Sequence, residues 1–204
     1  MKKLHLISVL ALSSIISAPT FAANSLEGKA GIGMIQAADS KVGFDAGLAY
    51  VIRLERFFAI VPEANFNWLS YTGAGGTFGG GGVGGTATAS QNFYTLPLLL
   101  NGRFYVPMGS DETPIVQPYV TAGAGYGWSS YVSSNPTATE KLTGFMYQAV
   151  LGLQLNLGMV SDGSASSTNV ILEVGYRGGQ LSTPGSVNVN MGGLTVRAGV
   201  NYSL

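Results

Sequence analysis

Nine charged residues fall inside strand-like segments of this chain: Glu27, Lys29, Asp45, Arg53, Glu63, Arg103, Glu173, Arg177 and Arg197. Paired carboxylates such as Glu63 and Glu173 are the groups that general acid–base chemistry uses, but nothing in their spacing favours that work. His5 is the only histidine and cysteine is absent. Once the N-terminal segment holding His5 is removed, a Ser-His-Asp or Cys-His arrangement has nothing to build on. The same holds for a zinc site of the usual type. The sequence therefore predicts no enzyme, no cofactor and no catalytic or metal-ligating residue. What the nine charges share is a side: each falls on the same face of its strand as the others.

The elements that position them are read from that alternation, because successive side chains of a strand point to opposite faces. On the other face stand residues such as Ile32, Phe44, Leu48, Phe66, Trp68, Leu96, Leu98, Leu100, Val120, Leu151, Leu153, Val174, Val196, Val200 and Tyr202. An apolar outside with a polar inside is the pattern that lipid imposes. Eight segments show it: Glu27 to Ala37, Val42 to Leu54, Phe58 to Tyr71, Gln91 to Val106, Val116 to Val132, Leu142 to Leu157, Asn169 to Arg177 and Val189 to Leu204. Pro62, which removes one ladder donor, predicts a local bulge in the third. Thr72 to Ser90, rich in glycine and poor in bulk, reads as a flexible loop. Lys41, Glu140 and Lys141 read as loop charges, and Glu55, Arg56, Asp111, Glu112 and Asp162 as turn charges. The expected fold is all-β: an eight-stranded antiparallel up-and-down transmembrane β-barrel.

Lys2, Lys3 and the apolar run Leu4 to Ile16, followed by Pro19 and Thr20-Phe21-Ala22, have the shape of a cleaved signal peptide. Residues 1–22 are thus expected to be removed and 23–204 to form one domain. The run is too short to anchor as a helix, which needs about 20 apolar residues. Charged residues make up 10% of the chain, well below the quarter typical of soluble domains. Without Lys2 and Lys3 the chain has two fewer basic than acidic residues, so no basic surface points to nucleic acid. An open sheet edge cannot be satisfied in lipid, so a strand-built membrane protein must close.

Aromatic residues add a second signal. Tyr50, Trp68, Tyr71, Tyr94, Trp128 and Tyr131 group toward one set of strand ends, and Phe57, Phe58, Phe104, Tyr105, Tyr119 and Tyr202 toward the other. Two such belts are expected at the two headgroup layers.

The stretch Gln117-Pro118-Tyr119-Val120-Thr121-Ala122-Gly123-Ala124-Gly125-Tyr126-Gly127 and the C-terminal segment Leu194 to Leu204 carry a resemblance. The chain resembles the small bacterial outer-membrane β-barrel family that includes the OmpA membrane domain. The resemblance implies residence in the cell outer membrane of a Gram-negative bacterium, with membrane lipid around the barrel. It also implies recognition by the barrel-assembly machinery through the last strand, and loops that contact host surfaces or other cells. Leu194, Val196, Ala198, Val200, Tyr202 and Leu204 fit the spacing of that strand, whereas the final residue is usually Phe and here is Leu204.

The inward charges must be paired, since an unpaired buried ion costs several kcal/mol. Lys29, Asp45, Arg53, Glu63, Arg103, Glu173, Arg177 and Arg197 are the expected lumen charge network. Among these, Arg53, Glu63, Arg103, Glu173 and Arg197 are expected to form one interior network that plugs the barrel; Glu63 is placed at the depth of Arg103, and Glu173 near Arg197. An eight-stranded barrel leaves an interior that side chains can fill, which points to a plug. The many inward glycines, among them Gly47, Gly127, Gly152 and Gly175, would leave voids and keep a narrow water path open. Three functional classes follow: a structural or surface-interaction protein (adhesion or antigenic display), a narrow porin-like channel for small solutes, and a soluble binding barrel of lipocalin type.

Overall fold

A computed structural model describes residues 24–35, 41–74, 88–108, 114–134, 137–157, 167–183 and 188–204. The expected signal peptide, the middle of the Thr72 to Ser90 segment, and Asp111, Glu112 and Asp162 lie outside these residues.

The strands are β1 (Ser25–Ile35), β2 (Lys41–Arg53), β3 (Phe58–Ala74), β4 (Thr88–Tyr105), β5 (Val116–Ser134), β6 (Thr137–Asn156), β7 (Thr168–Ser182), β8 (Asn188–Asn190) and β9 (Gly193–Ser203). Each pairs antiparallel with its neighbour in sequence order, β9 with both β7 and β1, so that Ala30 faces Ala198 and the wall closes. β8 and β9 occupy one position in the wall, which makes a closed eight-stranded barrel. Between them Met191 donates to the Gly179 carbonyl at 3.0 Å and Gly192 to the Asn190 side chain at 3.0 Å, bridging the interruption. Ser25, Ser203 and the tight turn after β2 share one end of the barrel, here called the terminal end. The opposite end, where β5 and β6 pair up to Ser134 and Thr137, is the distal end.

Side chains alternate as their types require. Along β1, Ser25, Glu27 and Lys29 are buried while Leu26, Gly28 and Ala30 are exposed. Leu48, Leu100, Phe145 and Leu151 on the outer face are each 59% to 64% exposed, whereas Glu27, Asp45 and Arg103 inside are 0% exposed. This is the reverse of a water-soluble domain.

The strands differ from the expected segments mostly at the distal end. β3 and β4 pair from Tyr71 and Gln91 on to Ala74 and Thr88, so the bases of the glycine-rich segment are strand. β6 begins at Thr137 and β7 runs to Ser182, taking Gly178 and Gly179 into the sheet. The apolar alternation marks only the middle part of a strand, where the outer face is apolar. Beyond it the backbone ladder continues without a hydrophobic signature, because partner strands still satisfy the N–H and C=O groups.

Pro62 does not make a bulge. The β2–β3 ladder lapses opposite Tyr50 and Val51 and resumes unshifted at Ile52↔Ile60. A missing donor removes one hydrogen bond without needing an extra residue.

The aromatic belts are also narrower than expected. Trp68, Tyr94 and Trp128 are exposed at the distal side, and Phe58, Phe104 and Tyr202 at the terminal side. Tyr50 pairs with Leu26 and so belongs to the terminal half. Tyr105, Tyr119 and Tyr131 are 1% to 2% exposed and fill the lumen. Lys41 and Lys141 are exposed within β2 and β6 and Glu140 is half-buried in β6, so none of the three is a loop charge. Glu55 and Arg56 are exposed in the turn, which Phe58 closes by donating to the Glu55 carbonyl at 3.3 Å.

Candidate functional site

The lumen is where the unusual chemistry lies. Strands β1, β2, β3, β4, β7 and β9 each aim at least one charge at mid-height, because each carries Asp, Glu, Lys or Arg in the inward phase. Lys29 Nζ stands among three carboxylates: Glu27 at 3.3 Å, Glu63 at 3.4 Å and Glu173 at 3.2 Å. Arg197 bridges two of these differently, with Nη1 2.8 Å from Glu63 Oε1 and Nη2 2.7 Å from Glu173 Oε2. Glu173 and Arg197 face each other across the β7–β9 ladder, which places the pair by register alone.

Two arms extend from this centre. Toward the terminal end Arg103 grips Glu27 through both guanidinium nitrogens, at 2.5 and 2.9 Å, and donates from Nε to Thr121 at 3.1 Å. Its guanidinium lies 4.2 Å from the centre of the Tyr119 ring, whose hydroxyl donates to Glu173 at 2.9 Å. Toward the distal end Arg177 Nη1 donates to Asp45 at 2.8 Å and to Asn67 at 2.9 Å, and Asn67 donates to the same Asp45 oxygen. Asn101 and Gln148 donate to Glu63 Oε2 at 3.1 and 2.8 Å, so this carboxylate is enclosed on all sides. Four acids (Glu27, Asp45, Glu63, Glu173) meet four bases (Lys29, Arg103, Arg177, Arg197), and the charges cancel.

Apolar clusters sit above and below. Ala49, Val51, Ala59, Val61, Tyr105 and Tyr119 pack together on the terminal side. Ile35, Leu69, Phe93, Leu99, Tyr131, Leu142, Met146, Leu181, Val189 and Met191 do so on the distal side. The lumen is thus layered, apolar–ionic–apolar, rather than uniformly polar. The inward glycines are not voids: the Tyr119 ring lies over Gly152, Met146 over Gly127 and Val150 against Gly175. A side chain at any of these would collide with its neighbour, so the glycine makes room for the larger residue opposite.

Two details differ from the sequence expectation. Arg53 is outside the network: it is half-buried at the terminal mouth, with its guanidinium 4.4 Å from the centre of the Tyr105 ring. Its position at the last residue of β2 leaves the guanidinium near water, where no carboxylate partner is needed. Glu63 does not pair with Arg103, because β3–β4 register sets Arg103 opposite Ala59 and Glu63 opposite Leu99. Arg103 takes Glu27 from across the lumen instead. Glu27 belongs to the centre although strand depth alone did not group it there. Asn65, Asn67 and Tyr119 complete the set, and Asn65 and Asn67 lie in phase with Glu63 along β3. That phase was the available signal.

Chemically this arrangement holds charge in place. Glu63 and Glu173 share Lys29 and Arg197 and are 4% to 5% exposed, so neither carboxylate has a free side from which to exchange a proton with a substrate. Among the described residues no group of three or more His, Cys, Asp or Glu is set to hold a metal ion.

No family model and no curated protein sequence matches the chain. Solved structures do. Neisserial surface protein A is similar with a TM-score of 0.59 at 11% identity, over 90% of this chain and 98% of that one. Ail, the attachment invasion locus protein of Yersinia pestis, is similar with a TM-score of 0.50 at 14% identity, over 89% of this chain and 100% of that one. The fold is that of the small outer-membrane β-barrels.

Proposed function

We propose that this chain is a non-enzymatic integral protein of a bacterial outer membrane, sealed through its lumen, with a structural or surface-interaction role. The observation that carries the reading is the pairing of a neutral buried ion network with an apolar outer wall. Leu96, Leu98, Leu151 and Leu153 are 42% to 60% exposed, where a soluble lipocalin-type barrel would carry polar residues. Water would leave that surface as a large apolar patch, whereas lipid covers it at no cost.

The same layering supports a plug over a channel. An ion crossing the lumen would have to displace Lys29 and Arg197 from their carboxylates and then pass two apolar clusters. The names of the two similar proteins, a surface protein and an attachment invasion locus protein, support looking for contacts at the distal end. We assign delivery to the membrane to the expected signal peptide, and insertion to recognition of β9 and Leu204 by the barrel-assembly machinery.

Fractionation and conductance test the reading together. The mature protein sediments with outer-membrane fragments and stays silent in planar bilayers after insertion verified by protease protection. Recovery in the supernatant would refute membrane residence, and steady openings would establish the channel instead. Deletion of residues 75–87 then separates a contact role from a structural one: binding to intact host cells falls in the first case and is absent throughout in the second.

A further inference from the structure

We infer that the outer wall of β3–β6 carries a site for the phosphate of an anionic membrane lipid in the distal leaflet. The inference rests on the membrane reading above. A groove of about 290 Å³ opens on the outer face, with Phe66 and Leu96 at its inner part, Trp128 and Tyr94 beside it, and Ser130 and Lys141 at its rim. The ladder orders these by depth. Tyr94, Ser130 and Lys141 stand abreast on one rung, and Leu96, Trp128 and Thr143 on the next rung toward mid-height. Below them the outer face is Leu98, Tyr126 and Phe145.

Lys141 is the outward charge of these four strands among the described residues, and it has no ion-pair partner there. Its neighbour Glu140 cannot neutralise it, because adjacent residues of a strand face opposite sides; Glu140 pairs across the ladder with lumen-facing Tyr131. A cation, hydroxyls and indole lie above apolar side chains in the order that a lipid presents phosphate, glycerol and acyl chain. Amphipathic rings settle at that same boundary, and a lysine stem can run along the apolar wall while its ammonium reaches the headgroups. A soluble anion would use the ammonium and leave the apolar floor bare, so the occupant is a lipid.

The test uses the full-length mature protein in nanodiscs of phosphatidylcholine containing phosphatidylglycerol as a minor component, with retained lipids counted by native mass spectrometry. The wild type retains phosphatidylglycerol over its bulk share by about fivefold, the effect of one lysine at an anionic surface. Lys141→Gln brings retention to the bulk share, while Lys141→Arg keeps the enrichment. Circular dichroism checks that each variant is folded. Equal enrichment in wild type and Lys141→Gln, or none in the wild type, would overturn the inference, as would displacement of the lipid by inorganic phosphate. A protein that enters nanodiscs without enrichment sinks this inference alone; one that never enters them sinks the membrane reading as well.

Discussion

Lys29 is the residue whose surroundings explain most of the lumen. One ammonium holds three carboxylates within 3.4 Å, and two of these are held again by Arg197. Removing one member leaves its partners buried and uncompensated, which costs about 3–5 kcal/mol. Glu63→Ala should therefore lower stability by about that amount, since Lys29, Arg197, Asn101 and Gln148 all lose an acceptor. Arg53→Ala should cost about 1 kcal/mol or less, because its contact is a ring face at the barrel mouth. Urea unfolding in detergent micelles compares the two. Equal losses would contradict the placement of Arg53 outside the network.

At the scale of the element, a strand here does two jobs along one length. β6 spans Thr137–Asn156, but a tilted strand needs only about 9–11 residues to cross a bilayer. From Phe145 to Leu155 its outer face is apolar or aromatic, whereas Thr139, Lys141 and Thr143 are polar. An arginine on the outer wall should therefore be costly at Leu151 and cheap at Thr143: about 2–4 kcal/mol against about 0–1 kcal/mol. Reversible folding into vesicles measures both; a flat depth profile would contradict lipid contact. β9 offers a second element-scale prediction. If its end is the address for assembly, Leu204→Phe should speed insertion by the assembly machinery in reconstituted vesicles, leaving final stability within about 0.5 kcal/mol. Each wall strand's existence was legible from alternation, but its distal end was not. Gly178, Gly179 and Thr137–Lys141 are strand because a neighbour supplies the ladder, and one sequence segment does not show its neighbour.

For the whole molecule, the inversion of inside and outside could be read from the chain, and so could the inward phase of all nine charges. Of the partnerships among them, that of Glu173 with Arg197 could be read and the others could not. Register placed Glu173 opposite Arg197, but Glu27 meets Arg103 across the lumen, a distance that sequence does not encode. Nor did alternation show that inward Leu99, Met146 and Leu181 on one side and Val51 and Val61 on the other would gather into two apolar layers. The chain has no cysteine, so a single one can carry a spin label without removing a native thiol. With the label at Leu151 in a phospholipid bilayer, collisions with dissolved oxygen should be frequent and collisions with a water-soluble nickel chelate rare. Frequent nickel collisions at that position would show water against the mid-height wall and contradict a barrel turned outward to lipid.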